Sequence, residues 1–130
     1  MEQLVNFETS KLAKEVGFDW TCHSMYRNQN NPQLEEYNEM KVFLYSDYVP
    51  APTQSLLQKW LRDEYGIHID FATTTNSKWD FNLCNLREGV GHAGFFSNSL
   101  INFDTYELAL EAGLQEALKL VISKNSQGGN

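Results

Sequence analysis

Ile67-His68-Ile69-Asp70-Phe71 and, after a polar break, Trp79-Asp80-Phe81-Asn82-Leu83 decide the fold of this chain. In both runs a large apolar residue alternates with a polar one, and successive side chains of an extended chain point to opposite faces. Two such runs joined by a Thr- and Asn-containing link predict an antiparallel hairpin with one apolar face. A parallel sheet covered on both faces would instead need nearly continuous apolar runs.

On the N-terminal side of this hairpin, Leu56, Leu57, Trp60 and Leu61 recur at helical spacing. Pro50 and Pro52 frame the start of that helix, and Gly66 stands where a left-handed terminating residue belongs. On the C-terminal side, Leu110, Leu114, Ala117, Leu118 and Val121 form the core face of a longer helix. Asp104 and Glu107 have the spacing of a capping box, with Phe103 and Leu108 at the staple positions and Thr105 as the alternative cap. Gly113 inside this helix costs about 1 kcal/mol against alanine, which predicts a close approach by another element.

Nearer the N-terminus, Val5, Leu12, Ala13 and Val16 predict a helix over residues 7–16, capped by Asn6 or Thr9 and ended by Gly17. Phe18, Trp20, Cys22 and Tyr26 then alternate with Asp19, Thr21, His23 and Met25, as a strand would. Residues 27–38, rich in Asn and Gln, read as a long exposed connection to a second strand over residues 40–45. The order α-β-β-α-β-β-α predicts an α+β fold, an antiparallel sheet of about four strands with three helices on one face. A single domain is expected over residues 1–122, with a disordered tail over residues 123–130.

Composition narrows the function classes. The 130 residues are enough for one core, and 42% of them are hydrophobic, far from the range of disordered chains. A net charge of −7, with cations scattered singly, disfavours direct binding to nucleic acid or anionic lipid. No long apolar run predicts a membrane span, and Glu2 stands where a secretory leader carries base, so the expected location is cytoplasmic. Cys22 and Cys84 are far apart and form no Cys-x-x-Cys pair, so free thiols are expected.

The run Ala51-Pro52-Thr53-Gln54-Ser55-Leu56-Leu57-Gln58-Lys59-Trp60-Leu61-Arg62, then Ile67-His68-Ile69, then Thr105-Tyr106-Glu107-Leu108-Ala109-Leu110-Glu111-Ala112-Gly113-Leu114-Gln115-Glu116-Ala117-Leu118 resembles an uncharacterised family of small proteins. Its members look like proteins carried by prophages and mobile elements of gut Bacteroides. The resemblance implies a genomic setting and a shared fold, and it implies no reaction and no site residue.

Three constellations carry potential chemistry. Gly89-Val90-Gly91-His92-Ala93-Gly94 matches the G-x-G-x-x-G string, yet residues 95–100 after it have no helical period, so a glycine loop is expected rather than a nucleotide site. Cys22, His23, His68, Cys84 and His92 supply donors for zinc, but neighbouring Cys22 and His23 on a strand point to opposite faces and no ligand spacing is met. A thiol nucleophile could pair Cys84 or Cys22 with His92 or His68 and a carboxylate, and nothing in the sequence selects one pairing. No catalytic residue, cofactor or metal is therefore assigned.

The aromatic residues exceed the evident needs of so small a core. They point to a non-catalytic protein that binds a protein partner or itself, with Tyr45, Tyr48 and Trp79 as anchors because they fall near strand ends or loops. An acidic DNA mimic and a small Cys/His-dependent hydrolase are the alternatives.

Overall fold

The computed structural model describes residues 3–27, 31–36, 48–73, 78–85, 96–97 and 103–128. Its elements are α1 (Phe7–Glu15), β1 (Ser24–Arg27), β2 (Gln33–Glu36), β3 (Tyr48–Pro50), α2 (Gln54–Tyr65), β4 (Ile67–Thr73), β5 (Trp79–Asn85), β6 (Phe96–Ser97) and α3 (Tyr106–Gly128). The class is α+β with three helices, and the pairings among the described strands are all antiparallel.

The expected hairpin is present. β4 and β5 pair from Ile67↔Asn85 to Thr73↔Trp79, with Ile69↔Leu83 and Phe71↔Phe81 along one face. Ile67, Ile69, Phe81 and Leu83 are buried because α3 lies across that face, and α2 packs beside it on β4. Gly113 of α3 sits directly on the hairpin: a Cβ placed there would meet Ile69 Cγ2 at 3.0 Å and Phe81 at 3.4 Å. The glycine thus lets helix and sheet approach, which offsets its unfavourable helix propensity.

Instead of one sheet of about four strands, the described strands form two sheets of three, in the orders β2-β1-β3 and β4-β5-β6. Of the strand expected over residues 18–26, only the end forms one, β1, and the chain before it bends at Trp20 and His23. Phe18 and Cys22 are buried and Asp19, Thr21 and His23 exposed, as alternation requires. At β1 the phase slips, so Ser24 and Met25 are both buried and Met25, expected on the polar side, joins the core. Its partner β2 lies within the stretch expected to be a connection. That strand is held by backbone pairing and keeps Gln33, Leu34 and Glu36 exposed, so it carries no apolar alternation to reveal it. β3 is a three-residue strand ending at Pro50, and residues 40–45 lie outside the described residues.

Helix starts follow side-chain caps. Asn6 accepts a bond from Thr9 N at 2.9 Å, and Thr53 accepts one from Leu56 N at 3.2 Å. Gly66 closes α2 at φ 68°, a left-handed conformation cheap only for glycine. For α3 the cap is Thr105, whose Oγ1 accepts from Leu108 N at 3.1 Å. Asp104 instead pairs with Lys78, and Leu108 is 51% exposed, so neither the Asp104 box nor the Leu108 staple forms. The helix begins one position later than that box requires. α3 also runs on to Gly128, well past Val121 and through most of the stretch expected to be a tail, because each added residue of an established helix gains a backbone bond and no proline stops it.

Candidate functional site

Two features of α3 converge near its first turns. The first is a polar cluster around Glu111, which is 9% exposed although it is an acid. Its Oε2 accepts from the backbone N of Asn6 at 2.9 Å and from the hydroxyl of Thr9. Its Oε1 accepts from Gln54 Nε2 at 2.9 Å, and the same Nε2 donates to the Glu107 carbonyl at 3.0 Å. Gln115 Nε2 completes the cluster on Thr9 Oγ1 at 2.9 Å. The buried carboxylate therefore meets the N-terminal ends of α1 and α2, whose partial positive charge stabilises an anion there. A backbone bridge between Leu4 and Thr53, with Val5 N on Pro52 O at 3.0 Å, ties the two helix starts together.

Beside this cluster a cleft of about 440 Å³ opens, where Gln3, Gln54 and Gln58 face Tyr106, Glu107 and Leu110. Tyr106 also belongs to the second feature, an aromatic group at the end of the hairpin. Its ring lies 4.5 Å from Phe71 and 5.3 Å from Trp79, centroid to centroid. All three rings are half-buried. Trp79 also pairs through its backbone with Phe103, so the residues that lead into α3, and its first residue Tyr106, pack on this end of the hairpin.

The sequence-derived candidates are dispersed. Trp79 stands in the aromatic group, whereas Tyr48 is half-buried on β3 with the Arg27 guanidinium 5.6 Å over its ring. Tyr45, His92 and the loop of residues 89–94 lie outside the described residues. Cys22 is buried in the core and donates to Ser24 O at 3.4 Å. Cys84 is opposite His68 in the β4–β5 register, and His68 Nε2 lies 2.8 Å from Asp70 Oδ1, so one of the open Cys-His-carboxylate pairings shares a face. Cys84 is only 8% exposed, and no hydrogen bond joins its thiol to that imidazole among the described residues. No group of three or more His, Cys, Asp or Glu among the described residues is placed to hold a metal ion.

Glu111, Gln54, Thr9 and Tyr106 escaped sequence reasoning. One signal was available, since Thr9 and Ser10 are polar residues on the helix face that also carries Ala13, and a buried polar group needs a partner.

Burial pushes the Cys22 thiol above its ordinary range, and burial together with the Glu111 charge pushes the Tyr26 phenol up. A raised folded-state pKa stabilises the fold fully below the unfolded value and loses that contribution as pH rises through the folded value. The melting temperature is expected to be unaffected by these groups at neutral pH. It should fall from about pH 8.5 through Cys22 and from about pH 10 through Tyr26. A thermal scan across that range that shows rising stability would contradict this.

No family model matches the chain, and no curated protein or solved structure matches it. No helix among the described residues is long and apolar enough to cross a membrane.

Proposed function

We propose that this chain is a non-catalytic interaction protein that binds a protein partner or a second copy of itself, in the mobile-element setting its family resemblance implies. The observation that carries this reading is the half-buried group of Phe71, Trp79 and Tyr106 at the end of the β4–β5 hairpin. Tryptophan and tyrosine are the residue types that dominate binding energy when a partner completes their burial. Rings already packed against one another lose little conformational freedom on binding, so more of the contact energy appears as affinity. Of the sequence-derived anchors, Trp79 is the principal one; Tyr48 lies beneath Arg27 and contributes less.

The test is quantitative capture from host lysate together with light scattering of the purified protein at micromolar concentration. Trp79→Ala is expected to weaken association by at least about tenfold, with the fold checked by circular dichroism. Cys84→Ala and His68→Ala are expected to leave it unchanged. Association that survives Trp79→Ala, or a turnover abolished by a Cys84 or His68 variant, would overturn the reading.

A further inference from the structure

We propose that the cleft between the first turns of α2 and α3 binds a small alkylammonium ligand. Its volume, about 440 Å³, lies in the range of small-molecule sites. The decisive group is Gln54, which is 4% exposed and contributes to the cleft wall. Both hydrogens of its Nε2 are committed, one to the Glu107 carbonyl and one to Glu111 Oε1. The amide orientation is thereby fixed, and Oε1 remains an acceptor that no donor among the described residues reaches.

The other lining groups select the same chemistry. Glu107 adds an exposed carboxylate, and the residues lining the cleft include no Lys, Arg or His to attract an anion. Tyr106 and Leu110 line the cleft as well and offer apolar surface to a short alkyl stem. Helix N-termini ordinarily favour anions through their free N–H groups. Here three of those groups are already engaged, Gln54 N by Gln3 O at 2.8 Å, Leu56 N by Thr53 Oγ1 and Leu108 N by Thr105 Oγ1, and the Glu107 carboxylate opposes an anion at the rest. A donor-only head of positive charge on a short stem therefore fits; an ammonium supplies three N–H donors and no acceptor. The cleft shares Tyr106 with the aromatic group, but its polar contacts rest on Gln54 and Glu107, which are no part of that group.

The experiment is an NMR titration of the full chain with diaminobutane, butanediol and succinate, which share a four-carbon stem and differ in the head group. Diaminobutane is expected to give saturable shifts of the Gln54 and Gln58 side-chain amides and the Tyr106 ring. Butanediol should bind at least about tenfold more weakly, and Glu107→Gln should weaken diaminobutane by about tenfold while the remaining spectrum is preserved. Glu107→Gln should retain partner capture, so loss of the ligand site and loss of partner capture are read separately. Shifts that do not saturate or are indifferent to Glu107→Gln would show general attraction to an acidic chain and overturn the proposal. Equal binding of butanediol or succinate would overturn it as well.

Discussion

Glu111→Ala is expected to destabilise the protein by about 3 kcal/mol, although the residue is an acid on a helix and reads as a solvated side chain in the sequence. Its removal leaves the Asn6 N–H, the Thr9 hydroxyl and one Gln54 N–H without their acceptor, in a region where Thr9 is fully buried and Gln54 nearly so. Each such orphaned donor costs about 1–3 kcal/mol, and water entering the space recovers part of it. Glu111→Gln keeps an acceptor oxygen but loses the charge that faces two helix N-termini, so a smaller loss of about 1–2 kcal/mol is expected. Urea unfolding of the three proteins measures this. A loss below about 1 kcal/mol for the alanine variant would show that the cluster is hydrated and not a structural clasp.

Gly113→Val is expected to cost about 3 kcal/mol or more. Even the first added carbon would lie 3.0 Å from Ile69 Cγ2, and Ile69 is β-branched, 2% exposed and held in the β4–β5 ladder, so it has little freedom to retreat. Valine then adds two further methyl groups against Phe81 and Ile69. Gly113→Ala separates the two opposing terms. It gains about 1 kcal/mol of helix propensity and loses about 1–3 kcal/mol to overpacking, so a net loss smaller than that of valine is expected. Thermal unfolding decides the matter, and an alanine variant more stable than the wild type would mean that helix and hairpin separate easily.

What was legible in the sequence is what burial writes into it. β4, β5 and α2 each present an apolar face at one clear period, and the β4–β5 pairing and the Gly66 end of α2 were legible with it. Gly113 was legible as a contact because a glycine in a helix needs a reason. β2 was not, since exposed side chains leave no period and only the backbone is engaged. The start of α3 was misplaced because Asp104 and Thr105 both suit a cap, and the choice is made by Lys78, far away in the chain. The polar cluster was hidden for a related reason: Glu111 of α3 becomes a buried acceptor only when the starts of α1 and α2 converge on it. The aromatic group was hidden as well: Tyr106 reaches Trp79 through the Trp79–Phe103 bridge ahead of α3, and Phe71 joins them from β4.

The central claim, that this chain works by association through the end of the β4–β5 hairpin, is tested most directly by hydrogen exchange. The protein is compared when dilute and when concentrated or bound to a captured partner. Added protection is predicted at residues 71–73 and 78–80 and at the start of α3, with His68 and Cys84 unchanged. Protection confined to other surfaces, or no difference between the free and associated states, would contradict the claim.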